Sequence, residues 1–366
     1  MNITGKITGI KYRTLLADNP TVISMKDFDI NKAPSVCLLN NKNCTFAVSK
    51  WVSPKRTRSY PFERVYNTLH LAKKITVIPI IKDEGEDGDR DYIQWDTVSL
   101  MSLLDVFVVF AYYDEAEINP RNSKKITNQQ LNNKYVISKV KEIEQYHSSA
   151  LHWNLNELQT NFQKIIQKAK KSYAEIECKA GVKLHDFAGL EKFQEKIGKD
   201  VSLFMEFSRD KAEQAQAREY VTVQPKESLS TLSKAKITIT NYLGGQYFFT
   251  VDEISMLADT LYLIEGKHSK NALLPSISDI KDGLLKMILY SNLTQVTANE
   301  NSVKHEAVLS LTSCKIKGCV SSASTKKELN EFFEANAITL SDRQMVELLM
   351  EEARHNKFTV KIQYSK

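Results

Sequence analysis

The stretch from Tyr247 to His268, YFFTVDEISMLADTLYLIEGKH, constrains this chain more than any other. It holds two apolar, aromatic-rich runs that each end in acidic residues, and the second closes as Glu265-Gly266-Lys267. Such runs read as strands. In a strand, side chains at i and i+2 share one face, so Glu265 and Lys267 point the same way. Asp252 ends the first run, 265 − 252 = 13 positions before Glu265. A turn over residues 253–259 would bring the two carboxylates to one end of a sheet. Asp259 competes for the same place, 265 − 259 = 6 positions before Glu265. Asp252 is preferred because it directly follows the strand-like Gln246–Val251, whereas Asp259 falls in the turn.

Two carboxylates and a lysine on adjacent strands suit metal-assisted cleavage of a phosphodiester. That bond is anionic and unreactive, so a catalyst must neutralise charge, activate a water and stabilise the leaving oxygen. Mg²⁺ does all three and takes oxygen ligands while keeping several waters. Asp252 and Glu265 can hold it, with the Gly266 carbonyl as a further ligand. Lys267 can orient the attacking water or offset charge in the transition state.

These residues resemble the PD-(D/E)xK nuclease superfamily, in which a strand-borne Asp is followed by Glu- or Asp-x-Lys on the next strand. Glu265-Gly266-Lys267 matches the second element in full. The first reads Thr250-Val251-Asp252 and lacks the loosely kept Pro. Ser276–Leu293, SISDIKDGLLKMILYSNL, looks like the helix that packs beside this hairpin. It has no Gln-x-x-x-Tyr, which argues against the RecB-like exonuclease branch. Glu227, in QPKESLSTL, stands where many members place an accessory helix-borne Glu. The resemblance covers roughly residues 225–320. It implies a mixed α/β (α+β) fold, a mixed sheet flanked by helices, with an N-terminal α/β region and a helical middle region added.

At 366 residues the chain is long enough for two domains or one elaborated one, at roughly 150 residues per domain. The net charge of +6 tilts it toward a polyanionic partner. Its five cysteines (Cys37, Cys44, Cys178, Cys314, Cys319) lack zinc-ligand spacing and read as free thiols of a reducing cytoplasm. The most apolar stretch, Val98–Tyr113, contains Asp105 and is too short to span a bilayer. With no apolar leader at Met1–Lys6, the expectation is a soluble, cytoplasmic protein without a membrane partner.

Three stretches are expected. Residues 1–125 are mixed α/β, with a strand at Lys73–Ile80, a helix at Ile93–Leu104 and a buried strand at Val106–Tyr112. Residues 126–220 are helical, over Lys134–Ala150, Asn156–Ala180 and Glu191–Arg218, with Gly181 as a stop. They can form a clamp around DNA, a dimerising arm or a bundle that only packs. Residues 221–366 form the nuclease core, continued by a strand at Ala307–Lys317, helices at Lys326–Ala335 and Ser341–His355, and a closing strand at Phe358–Tyr364.

Ser53–Tyr66 interleaves Lys55, Arg56, Arg58 and Arg64 with Tyr60, Phe62 and Tyr66. It suits DNA phosphates, guanine edges and exposed bases, or forms a solvated turn with buried aromatics. The clustered carboxylates of the acidic loop Asp83–Asp91, with Asp96 beyond it, could bind a divalent ion, but the loop lacks EF-hand spacing and reads as solvated surface. His268 falls on the face opposite Lys267, as a structural or DNA-contact residue. Asp279 and Asp282 either order the site through water or simply start a helix. Phosphate-loop, dinucleotide, zinc-protease and nucleophile-elbow motifs are all missing.

With no ATPase or helicase motif, the resemblance is closest to type II restriction endonucleases. It implies Mg²⁺-dependent, site-specific hydrolysis of double-stranded DNA by a homodimer. Two alternatives stay open: a structure-specific or antiviral-defence nuclease without a fixed site, and a non-catalytic DNA-binding protein with a degenerate core.

Overall fold

A computed structural model of the chain describes residues 1–41, 44–50, 65–186, 191, 235–241 and 243–365. They form a mixed α/β protein of several sheets with helices between their strands. No helix among them is long and apolar enough to cross a membrane. Where the sequence suggests three stretches, contacts gather the chain into two compact units, residues 19–209 and residues 1–18 with 210–366. The opening strand β1 (Asn2–Ile7) explains part of the difference. It pairs in parallel with Ala235–Asn241, so the start of the chain belongs to the C-terminal unit.

Residues 19–209 begin with β2 (Thr21–Ser24), β3 (Val36–Asn41), β4 (Cys44–Lys50) and β5 (Lys74–Pro79). A short hairpin of β6 (Ile81–Asp83) and β7 (Arg90–Tyr92) leads to helix α1 (Trp95–Leu103) and β8 (Val106–Ala111). The main sheet runs β2-β3-β4-β5-β8. Every residue of β5 (KITVIP) and β8 (VFVVFA) is buried, as parallel strands covered on both faces require.

A second hairpin, β9 (Tyr113–Asn119) and β10 (Asn122–Leu131), precedes three helices: α2 (Asn133–Glu144), α3 (Ala150–Asn156) and α4 (Phe162–Ala180). Helices α2 and α3 pack on β8, and α4 packs on β9. The described helices of this stretch thus cover this unit's strands. Helix α2 stops at Glu144, short of the expected Ala150, and the Lys73 ammonium caps that end, meeting Ile143 O at 2.5 Å, Glu144 O at 3.1 Å and, just beyond the helix, Tyr146 O at 3.2 Å. The expected helix Asn156–Ala180 forms, but α3 runs straight into it and its first residues, Glu157–Asn161, make a π-helical turn before α4. Helix α4 buries Ile165, Ile166, Ala169, Tyr173 and Ile176 along one face and ends at left-handed Gly181, φ 64°. Of the expected helix Glu191–Arg218, all but Glu191 lies outside the described residues.

The acidic segment is solvated at its tip, where Glu86, Asp87 and Asp89 are exposed, but its ends differ from the loop expected of it. It contributes β6 and β7, and Asp83 and Asp96 are buried. Asp83 accepts the Gly85 N–H at 2.9 Å and the His185 N–H at 3.2 Å, and its Oδ1 lies 2.9 Å from His185 Nδ1.

In the other unit, β11 (Ala235–Asn241) and β12 (Gln246–Val251) join β1 in a sheet completed by β15 (Thr294–Ala298) and β16 (Asn301–Ser302), in the order β12-β11-β1-β15-β16. A second sheet runs β13-β14-β17-β19-β18, from β13 (Glu253–Leu257), β14 (Thr260–Ser269), β17 (Lys304–Ser313), β18 (Cys319–Ser321) and β19 (Thr359–Tyr364). β13 and β14 are antiparallel, whereas β14, β17 and β19 are parallel.

Helix α5 (Ile277–Tyr290) follows β14 and packs on β14 and β17. Its N-cap is Ser276, whose side chain accepts the Asp279 N–H. Helices α6 (Lys326–Ala335) and α7 (Leu340–Asn356) follow the sheet. Thr325 and Glu328 form a capping box on the first, and Thr339, not the expected Ser341, caps the second. The segment after β1 is held by two carboxylates. Buried Glu352 accepts Tyr12 OH at 2.8 Å and the Leu15 N–H at 2.6 Å, and Asp18 lies 2.6 Å from Lys281 of α5.

Candidate active site

Strand β14 carries the site because of its burial pattern. Leu261 and Leu263 face the core, and the next residue on that face is Glu265, only 1% exposed. A carboxylate in an aliphatic position is costly unless cations and hydrogen-bond donors surround it. The hairpin register supplies the neighbour. Glu253 pairs with Ile264, so Asp252, one residue earlier, comes beside Glu265.

The turn of that hairpin is shorter than expected. Residues 253–257 are strand, and the chain reverses at Ala258, φ 50°, and Asp259. The preceding run β12 belongs to the other sheet, so Asp252 stands at the junction between two sheets rather than at the end of a strand paired with β14. Asp259 is exposed at the far end of β14, six residues or about 20 Å of strand from Glu265. It does not join the site.

Five charged side chains meet toward the end of β14. Lys267 Nζ lies 3.0 Å from Glu265 Oε1 and 2.5 Å from Asp282 Oδ2 on α5. Lys286 Nζ, also from α5, lies 2.6 Å from Glu265 Oε2, 3.8 Å from Asp252 Oδ1 and 3.2 Å from the Thr250 carbonyl. The Gly266 N–H donates to Asp252 Oδ2 at 3.0 Å. Helix α5 approaches closely enough for these contacts because Gly283 has no side chain. A Cβ there would lie 2.6 Å from Leu309 Cδ1 and 3.4 Å from Lys267 Cε.

The electrostatics follow from burial and neighbours. Burial pushes the Glu265 carboxyl up to about 7, against the pull of Lys286 and Lys267. Burial also raises Asp252, but Lys286, the Glu265 hydrogen bond and the Gly266 N–H outweigh it, and the net displacement is downward. Both lysines are held above their usual range, because their carboxylate partners outweigh desolvation.

Asp252 and Glu265 offer hard oxygens side by side, the donor type Mg²⁺ takes. No group of three or more His, Cys, Asp or Glu gathers among the described residues. The chain would thus supply two carboxylates, and waters and substrate oxygens the remainder, as Mg²⁺ sites on phosphates commonly do.

The other candidates fall elsewhere. His268 lies on the opposite face from Lys267, with Nδ1 2.9 Å from Thr312 Oγ1 and Nε2 3.5 Å from Cys314 Sγ. Asp279 serves the start of α5, its Oδ2 accepting Ser276 OH at 2.7 Å. Asp282 instead reaches Lys267. Glu227 and the DNA-contact candidates Lys55, Arg56, Arg58, Tyr60 and Arg64 lie outside the described residues. Lys286 is the member that sequence reasoning missed. Its signal was the lone charge in the apolar run Gly283–Tyr290, GLLKMILY. No family model, curated protein or solved structure matches this chain.

Proposed function

We propose that this chain is a Mg²⁺-dependent endonuclease that hydrolyses double-stranded DNA at a specific site, in the manner of a type II restriction enzyme. One observation carries this function: Asp252 and Glu265 meet across a hairpin with Lys267 Nζ 3.0 Å from Glu265 Oε1. The hairpin β13–β14, helix α5 and parallel strand β17 follow one another in the order that the PD-(D/E)xK resemblance implies. The net charge of +6 suits a polyanionic substrate.

Asp252 and Glu265 would hold the ion, which supplies charge neutralisation and a more acidic water. Lys267, steadied by Asp282, directs N–H donors at the attacking water or a phosphate oxygen. Ser53–Tyr66 would contact DNA, and a homodimer would match a palindromic site. The location proposed is the cytoplasm.

One observation favours a second reading, a DNA-binding protein with a degenerate core. Both Glu265 oxygens already have an ammonium partner, so the cluster is satisfied as it stands. Incubation of mixed plasmid and phage DNA with Mg²⁺ or EDTA, beside Glu265→Ala, separates the two. Discrete Mg²⁺-dependent fragments should appear with the unaltered chain and fall by at least about 1,000-fold in the variant, with DNA binding kept. Smearing that needs Glu265 would indicate a nuclease without a fixed site. Cleavage that survives Glu265→Ala would remove the proposed centre, and DNA binding without cleavage would favour the degenerate core.

A further inference from the structure

We propose that Lys286 is a built-in counter-cation. It holds the Asp252–Glu265 pair together when no divalent ion is bound and must withdraw for one to enter. The affinity of the site for metal is then set by competition with the chain's own lysine. This rests on Asp252 and Glu265 being metal ligands, and it adds how access to them is regulated.

The two lysines of the site are not equivalent. Lys267 takes Glu265 Oε1 at 3.0 Å and keeps a second carboxylate partner, Asp282, at 2.5 Å. It stays charge-paired if Glu265 turns to an ion. Lys286 stands between the two proposed ligands, 2.6 Å from Glu265 Oε2 and 3.8 Å from Asp252 Oδ1. A divalent ion bridging those carboxylates would repel an ammonium at that position.

The position also explains why a lysine is there at all. Glu265 is 1% exposed, and a carboxylate shut away from water beside a second, half-buried one needs a cation. Lys286 also donates to the Thr250 carbonyl at 3.2 Å, a contact that needs neither carboxylate. Its flexible four-carbon stem makes the move cheap. The same lysine thus stabilises the metal-free fold and opposes metal entry.

Titration of the DNA-free chain with Mn²⁺, read by electron paramagnetic resonance, tests this on the unaltered protein, Lys286→Met and Lys286→Arg. Removing the internal competitor should lower the Mn²⁺ Kd about tenfold in Lys286→Met. Lys286→Arg, which keeps the charge, should stay near the unaltered value. Equal or weaker binding by a folded Lys286→Met would overturn the proposal while leaving the metal site standing. Absence of Mn²⁺ binding in all three proteins would remove the metal site itself and the proposal with it.

Acetylation of the unaltered chain gives a second test that does not depend on the variant folding. Mg²⁺ should raise the labelling of Lys286 about threefold relative to Lys281, which stays paired with Asp18. Unchanged labelling would overturn the competition.

Discussion

In the unit of residues 19–209, Asp83 ends strand β6 and is met by donors from its own surroundings: the Gly85 and His185 N–H groups and the His185 ring. In the other unit, Asp252 and Glu265 lie side by side and are met by the ammonium groups of Lys267 and Lys286. Asp83 and Glu265 are both buried carboxylates near the ends of apolar runs, and in the sequence acidic residues at either place could hold a divalent ion. The difference lies in what satisfies them. Backbone N–H groups cannot leave without unfolding a loop, so Asp83 fastens the segment around His185 to a hairpin. A lysine side chain can leave, so Asp252 and Glu265 can exchange one cation for another.

The comparison breaks most sharply on Lys267. Lys267→Met should lower cleavage about 100- to 1,000-fold while DNA binding changes little, as measured by fragment yield and by filter binding. Retained cleavage would place the chemistry elsewhere.

Asp83→Ala should do the reverse. It leaves the Gly85 and His185 donors unmet and should cost about 2–3 kcal/mol in chemical denaturation, with cleavage per folded molecule unchanged. A selective loss of activity would make Asp83 part of a site after all.

A third test reads the cost of burying Glu265. Its folded pKa, about 7, lies above the ordinary 4.5, so between those values the folded state binds more protons than the unfolded one. The stability of the metal-free chain should therefore fall as pH rises from 4.5 to about 7, by on the order of 3 kcal/mol, and then level off. Mg²⁺ should flatten that slope, because an ion keeps Glu265 deprotonated throughout. Thermal melts across pH, with and without Mg²⁺, measure both.

The smallest effects come from two glycines. Gly283→Ala puts a methyl 2.6 Å from Leu309 Cδ1 and beside Lys267, and should cost about tenfold in cleavage by shifting α5. At Gly266 the nearest atom to a new Cβ is Asp252 Oδ2 at 4.0 Å, so Gly266→Ala should change cleavage less than about twofold. Equal effects at the two positions would show that the approach of α5 does not position Lys267.

How much of this was legible beforehand depends on the range of the interactions involved. That Glu265 and Lys267 share a side of β14 was readable because strand alternation is local, and Ser276 marked the start of α5 because its cap contact spans three residues. Strand β8 was visible as an unbroken apolar run, and β5 as the strand-like run KITVIP.

Only the tertiary structure decided the rest. It set the partner of β1, since Asn2 lies opposite Lys236, and with it the division into two units. It placed β12 and β13 in different sheets, buried Asp83, and brought Lys286 21 positions back to Glu265. Periodicity tells a residue which face it occupies. What that face meets depends on strand pairing and helix packing between residues far apart in the chain, which no local pattern encodes.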